Sequence, residues 1–442
     1  MKKYAIGLAL WGLSLGLVAA QSATTNLPLD QAIQLALKNN KGIKLADTRT
    51  QAAQARAQEA KDRGLPQANA SLAYSRYSLT GPFAFGEGTD GKPLFGIPAG
   101  AFNATMGGAT VSKEVFGGFA EKSARLSADL LARASQLDAQ RNRQELVYTV
   151  TDAYYNIVKL IRSTRVIDEN IRLFDERERE ARNLEKEGIV TANEVLKIQL
   201  QKNNLQLSRL QADKARQTAL YNFNLLIGLP DTQTVAVDTT LANPASTLEP
   251  LESFLNQSTR VRPEVQANAL RVQAADAQLK NVKSSKYPHL GVSLGYNYIN
   301  PTASLIPEGS SFISAWSVGA GLTYNIGSLY NLKGRLNSAK TAIDQANLQG
   351  QQQTDQIRSE VVTAYNNYQL ALEQQNVIRT ALTQAQENYR LTESRFRNGL
   401  VGSTDLLEAD SFLIQSQLNV INATVDAQLA YQRLLRATGT NL

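Results

Sequence analysis

The chain has 442 residues, 43% of them hydrophobic and 19% charged, with a net charge of +7, one His and no Cys. Such a composition belongs to a folded chain, and the absence of Cys excludes disulfides, thiolate metal sites and a lipid-modified N-terminal Cys. The positive charge is spread along helical stretches without a basic run or interleaved aromatics, which reads as solvated helix faces and provides no nucleic-acid surface.

Lys2 and Lys3 precede an apolar run from Ala5 to Val18, which ends in Val18-Ala19-Ala20. A basic start, a short apolar core and small residues at −3 and −1 predict a secretory signal peptide over 1–20, cut after Ala20. The run falls short of the ~20 residues of a spanning helix and no later stretch matches it, so a mature chain that enters a membrane must do so as β-structure. Next come a helix predicted from Leu29 to Arg63, a hairpin, a very long helix from Phe119 to Glu187, a sharp turn at Gly188-Ile189-Val190 and a further helix. Residues 231–250 read as a linker. The same order then returns: a helix from Leu251 to Lys286, a hairpin, a long helix from Leu329 to Arg397, a turn at Gly399-Leu400-Val401 and a last helix. No Pro lies between Pro98 and Pro230 or after Pro307, as uninterrupted helices require.

The recurrence is a duplication, with 21–230 as the first repeat and 251–442 as the second. Arg49-x-Gln51-Ala52-Ala53-x-Ala55 returns 222 residues later as Arg271-x-Gln273-Ala274-Ala275-x-Ala277, and Pro66 and Tyr74 match Pro288 and Tyr296. At an offset of 211, Ala153-Tyr154 matches Ala364-Tyr365, Gly188-x-Val190 matches Gly399-x-Val401, and Gly228 matches Gly439. Within the long helices apolar residues follow a 4-3 spacing, among them Ile357, Val361, Ala364, Tyr368 and Ala371, with Leu146, Val150, Ala153 and Ile157 at the matching places. That period belongs to helices that supercoil against neighbours. At 1.5 Å per residue each long helix reaches roughly 100 Å, so a tall helical cylinder is expected rather than a globule.

The hairpin segments alternate. Leu290, Val292, Leu294, Tyr296 and Tyr298 oppose small or polar neighbours, as do Trp316, Val318, Ala320, Leu322, Tyr324 and Ile326; Ala70, Leu72 and Tyr74 with Ala109, Val111 and Val115 repeat this more weakly. Segments of ~10 residues with one apolar face, ending in Tyr and Trp, are those of a transmembrane barrel, which would put Leu294, Tyr296, Trp316 and Val318 against lipid. Four strands cannot close, and a sheet edge cannot face lipid, so several chains must combine. The alternative is a pair of amphipathic hairpins on a soluble core. The connections Gly81–Gly100 and Pro301–Ser310 read as surface loops.

In this order and duplication the chain resembles the TolC-like outer-membrane efflux proteins over nearly the whole mature length. Leu29-x-x-Ala32-Ile33-x-x-Ala36-Leu37-x-x-Asn40 is similar to the family's opening helix, with Lys41 where a Pro is usual; Arg262-Pro263-Glu264 resembles the same element in the second copy. Val115-Phe116-Gly117-Gly118 is similar to its strand-to-helix junction, and the turns at Gly188–Val190 and Gly399–Val401 to its periplasmic helix tips. The resemblance implies a mainly α fold with a β-barrel part: a homotrimer whose four strands per chain make a twelve-stranded barrel above a coiled-coil tunnel. It implies an outer-membrane exit duct for efflux or type I secretion, docked through the tips (Gly188, Val190, Gly399, Val401) to a periplasmic adaptor and an inner-membrane pump.

The resemblance also implies acidic residues closing the tunnel just past the tip, here Asp405 and Glu408, with Glu194 at the matching place in the first copy. The helical reading of the same residues is that acids suit a helix N-terminus, and Thr191-x-x-Glu194 has the form of a capping box. The Tyr and Arg of the best-known gate fall on Phe396 and Val401, which makes Phe396 a candidate apolar constriction and argues against a locking ion pair there. No phosphate loop, Ser/His/Asp set or metal-spaced cluster occurs, and His289 stands alone at a strand start, so no enzyme, cofactor or metal is expected. A periplasmic coiled-coil adaptor or envelope scaffold without a barrel is the rival reading.

Overall fold

The computed structural model describes residues 25–87, 90, 93–97, 99–230, 233, 235–240, 248–301 and 313–440; the predicted signal peptide, the 302–310 stretch of the second hairpin connection and parts of the first lie outside them. In chain order the elements are β1 (Thr25–Leu27), α1 (Leu29–Asn39), α2 (Lys41–Asp62), β2 (Gln67–Leu79), β3 (Phe83–Glu87), β4 (Pro93–Ile97), β5 (Gly100–Phe116), α3 (Ala120–Lys186) and α4 (Ala192–Ile227). They continue with β6 (Val235–Val237), α5 (Leu251–Val261), α6 (Pro263–Ser284), β7 (His289–Pro301), β8 (Ile313–Thr323), α7 (Ser328–Asn331), α8 (Lys333–Arg397) and α9 (Ser403–Thr438). The Pro-free stretches are the long helices, 67 residues in α3 and 65 in α8. Their 4-3 stripe is the buried one: Val150, Ile157, Phe174, Val361 and Tyr368 have no exposed surface. No described helix is long and apolar enough to cross a membrane.

Both helices predicted as continuous, Leu29–Arg63 and Leu251–Lys286, are broken once. Asn40 (φ −60°, ψ 129°) separates α1 from α2, and Arg262 (φ −61°, ψ 129°) separates α5 from α6. At Arg262 the cause is Pro263, which removes a donor and forces the residue before it out of the helical region. At Asn40 no Pro follows, and a side-chain bond takes over: Asn40 Nδ2 donates to the Leu226 carbonyl at 2.9 Å. Arg262 Nη1 makes the equivalent bond, to the Ala437 carbonyl at 3.3 Å. Leu226 and Ala437 are 211 residues apart and lie in the last turns of α4 and α9, whose carbonyls have no partner within the helix. Directly after those helices Gly228 and Gly439 take φ +74° and +75°. Each closes its helix with a pair of bonds, Leu229 N–H to Asn224 O (2.9 Å) with Gly228 N–H to Leu225 O (3.3 Å), and Thr440 N–H to Leu435 O (3.1 Å) with Gly439 N–H to Arg436 O (3.0 Å). A Cβ on Gly228 would lie 2.5 Å from Asn39 Cβ, and one on Gly439 3.0 Å from Arg262 Cγ.

By packing, the chain forms two compact units that cut across the repeats. The first holds α1, α4, β1, β6, α3 from Leu146 onward, and residues Tyr368–Gln432 of α8 and α9. Its core includes Phe174, Ala181, Val195, Ile198, Leu205 and Ile414. The stretch read as a linker contributes β6, which pairs parallel with β1 so that Leu27 meets Val237. The Tyr154 hydroxyl ties this pair down, donating to Leu27 O at 3.1 Å and accepting from the Asp238 N–H at 2.9 Å, and Arg162 Nε donates to Thr239 O at 3.0 Å.

The second unit holds α2, the hairpins, α3 up to Glu145, α5 to α7, α8 up to Asn367 and the chain from Arg433. Its sheet runs β2-β5-β7-β8, antiparallel throughout. Val111, Leu294 and Val318 align across three strands, as do Ala109, Tyr296 and Trp316; Thr110, Gly295 and Ser317 align on the other face. Tyr324 and Ile326 fall beyond β8, which ends at Thr323. The first hairpin connection, read as a loop, contains the β3–β4 pair. Around the α5–α6 break lies an ionic cluster: Arg262 bonds Glu264 and Glu360 at 2.7 Å each, and Arg436 reaches Glu360 at 3.1 Å and Glu145 at 2.9 Å. Burial pulls the Arg262 pKa down, but its two carboxylate partners outweigh that and leave it raised.

Asn40 already has the backbone that a following Pro demands, and the exposed Lys41 occupies the position of Pro263. Lys41→Pro is therefore expected to stabilise by about 0.4–1 kcal/mol, read as a higher thermal midpoint in detergent. A lower midpoint would mean that Lys41 itself holds the break.

Candidate functional site

The two turns that join the paired helices belong to the first unit and share one construction. α3 ends with Gly188 N–H to Glu185 O and Ile189 N–H to Leu184 O, both 2.9 Å; α8 ends with Gly399 N–H to Phe396 O and Leu400 N–H to Arg395 O, again both 2.9 Å. These are paired Schellman bonds, and they require the left-handed residue that Gly188 (φ +74°) and Gly399 (φ +69°) supply. Nothing lies within 4 Å of a Cβ placed on either. Val190 and Val401 are half-buried, so the side chains offered outward are the intervening Ile189 and Leu400, 65% and 73% exposed.

Just past the turns the three acids behave differently. Asp405 Oδ2 accepts from the Gly402 N–H at 3.3 Å, the return half of a capping box at the start of α9. Glu408, one turn on, is exposed and has no hydrogen-bond or ion-pair partner among the described residues. Glu194 departs from expectation: Thr191 makes no side-chain cap, and Glu194 Oε1 instead takes Lys197 Nζ at 3.3 Å. Lys197, one turn along the same face, offers a full charge where Thr191 offers a neutral hydroxyl. The same Nζ reaches Thr404 Oγ1 at 2.9 Å and so joins the two turns. Phe396 is half-buried in the last turn of α8.

Deeper in this unit lies a cluster that the sequence reading missed. Arg177 of α3 pairs with Asp410 of α9, donates to the Tyr389 hydroxyl of α8 at 2.5 Å, and stands 5.4 Å from the Phe174 ring centre. Asp410 is 1% exposed, and burial pushes its carboxyl up against the pull of Arg177. Its counterpart is Glu178, which accepts from Lys202 Nζ and Gln199 Nε2 at 2.8 Å each and from Arg182 at 2.7 Å. Those bonds, Lys202 first, hold the Glu178 carboxyl down at about 2. The signal lay in the repeat, since 211 residues separate Glu178 from Tyr389 and Gln199 from Asp410. Each copy keeps one acid in this pair of positions, on opposite helices.

The predicted lipid-facing residues stand together on one face of the sheet. Trp316 is 75% and Val318 70% exposed, and beside them Leu294 and Tyr296 are about half exposed. His289 accompanies Glu114 at the sheet end, Nδ1 to Oε2 at 3.0 Å. Among the described residues no three His, Cys, Asp or Glu side chains are placed to hold a metal.

Residues 32–229 and 254–440 each match the model of the outer membrane efflux protein family. The chain is 22% identical to the outer membrane efflux protein BepC of Brucella suis over 381 residues, which cover 84% of this chain and 79% of that one. Its fold is that of the Campylobacter jejuni CmeC outer membrane channel (TM-score 0.78, 17% identity, 99% and 94% of the two chains). It is equally that of the outer membrane protein VceC of Vibrio cholerae (TM-score 0.75, 18% identity, 93% and 96%).

Proposed function

Because this chain belongs to the outer membrane efflux protein family, we propose that it is the outer-membrane exit duct of a tripartite efflux or type I secretion assembly, passing small molecules or polypeptides outward as a homotrimer. The observation that carries this reading is the sheet: four strands, apolar and exposed on one face, small and polar on the other, with β2 and β8 at its edges and unpaired on their outer sides among the described residues. In hydrocarbon each unpaired edge group costs several kcal/mol, so the edges must meet other chains. Barrels of this kind start at about eight strands, and three copies supply twelve. A periplasmic scaffold without a barrel would leave Trp316 and Val318 in water to no purpose.

Adaptor docking falls to the helix turns, whose twin Gly-apolar-Val construction offers Ile189 and Leu400 to a partner. Pump contact would follow through that adaptor. Asp405 and Glu408, repeated by threefold symmetry, would crowd six carboxylates at one level of the pore, favouring cations there. Phe396 is the apolar alternative for the constriction.

For the barrel, Leu294→Arg or Val318→Arg should cost about 2–4 kcal/mol near the bilayer midplane and abolish the heat-resistant trimer on gels. Wild-type monomers that remain soluble without detergent would overturn it. For docking, Ile189→Asp combined with Leu400→Asp should stop export while trimers persist; unchanged export would rule the turns out. For the gate, Asp405→Ala/Glu408→Ala channels in planar bilayers should lose cation preference and block by multivalent cations, with about 1 kcal/mol lost from the α9 cap. Wild-type selectivity in the double variant would move the constriction to Phe396.

A further inference from the structure

Copy by copy, the junctions between sheet and helices differ in charge. In the first copy three cations there are paired, Lys61 with Asp129 at 3.3 Å, Arg63 with Glu59 at 2.7 Å and Lys113 with Glu121 at 3.8 Å, while Lys122 and Arg125 have no acidic partner among the described residues. In the second, the residue 222 after Lys61 is Lys283 and the residue 211 after Asp129 is Lys340. A position pair that holds an ion pair in one copy therefore holds two cations in the other. Lys286, Lys333 and Arg335 add three more, and from residue 277 to residue 343 the only acidic residue is Glu308, in the hairpin connection. All five cations are exposed, and none has an acidic partner among the described residues.

These cations flank the end of the sheet. The Ser328 hydroxyl donates to Ser285 O at 2.7 Å, which brings the end of α6 against the start of α7, and His289 pairs with Thr323 immediately above. Lys340 lies two turns into α8, about 10 Å from Lys333, and helical side chains tilt toward the N-terminus, here toward the sheet. Along the chain, Tyr287 lies between Lys286 and β7, and Tyr324 and Tyr330 lie between β8 and Lys333, exposed by 49%, 41% and 79%. Tyrosines bordered by unpaired Lys and Arg are the composition of a membrane–water boundary, where the rings sit at headgroup depth and the cations reach phosphate.

We propose that this second-copy junction is a binding site for an anionic phospholipid of the periplasm-facing leaflet, with the headgroup phosphate held among Lys283, Lys340, Lys286, Lys333 and Arg335. The lipid supplies the negative charge that Asp129 supplies in the first copy, and its acyl chains continue onto the exposed face of β7 and β8. The site rests on the barrel reading above.

The test is native mass spectrometry of the full chain, exchanged into detergent carrying equal phosphatidylglycerol and phosphatidylethanolamine. Wild type should retain phosphatidylglycerol on the order of tenfold over phosphatidylethanolamine, lost in high salt. Lys340→Asp rebuilds the first copy's ion pair, so it should keep or raise thermal stability while abolishing the lipid preference; Lys340→Arg should preserve it. Added inorganic phosphate should leave the lipid in place, and its displacement would overturn the lipid assignment. Equal retention of both lipids by wild type, or an unchanged preference in Lys340→Asp, overturns the proposal while entry into phosphatidylethanolamine vesicles still supports the barrel. A chain that enters no vesicle sinks both.

Discussion

A side chain at a helix break, donating to the last-turn carbonyl of another helix, occurs once in each copy, and much of the architecture is arranged around it. The bond satisfies a carbonyl that its own helix leaves without a partner, and it fixes where the shorter helices begin and end. Its two versions differ in kind. Asn40 makes a neutral bond, worth about 1 kcal/mol, and brings no charge that must be balanced. Arg262 brings a charge into a site where its side chain is only 8% exposed, so Glu264 and Glu360 must accompany it. Removing both acids would leave the buried charge uncompensated, which is more damaging than losing the carbonyl bond. Gly228 and Gly439 complete the arrangement, since a side chain would collide with Asn39 at the first and crowd Arg262 at the second.

The copies have diverged in the polar groups that join their helices. Glu178 and Asp410 occupy opposite members of one repeated position pair, and their surroundings shift them in opposite directions. Glu178, held at about 2 against an ordinary 4.5, contributes stability that is complete above its ordinary value and is lost as pH falls toward 2. Asp410 is displaced upward by burial, so its contribution has the reverse sense and is given up as pH rises. Two hairpins of common construction thus titrate unlike one another.

Periodicity made the fold legible: the 3.5-residue stripe, the alternation in β7 and β8, and the Pro-free stretches are properties of many residues at once. Features held by few residues escaped. A three-residue strand such as Val235–Val237 has no period to read, and it forms because Tyr154 and Arg162 from a distant helix receive it. The break at Asn40 carries no Pro, and its cause lies 186 residues away at Leu226. Thr191-x-x-Glu194 has the form of a capping box, yet the charge on Lys197 draws the carboxylate away. The two glycine turns were readable because only a left-handed residue closes a helix in that way. The Arg177–Asp410 pair joins residues without local spacing, and only alignment of the copies could have drawn attention to it.

The strand count has a consequence of parity. The edges of the sheet, β2 and β8, come from different copies and run in opposite directions, because an even number of strands alternates between them. A rotation that sets β8 of one chain beside β2 of the next is a head-to-tail contact, and the seam it makes is antiparallel like every other. This holds for any number of chains in the ring. An odd strand count per chain would force a parallel seam at each junction, with the two edges no longer offering the same hydrogen-bond pattern. Duplication of a single hairpin therefore delivers a sheet that can close on itself, leaving the size of the ring to be set by curvature.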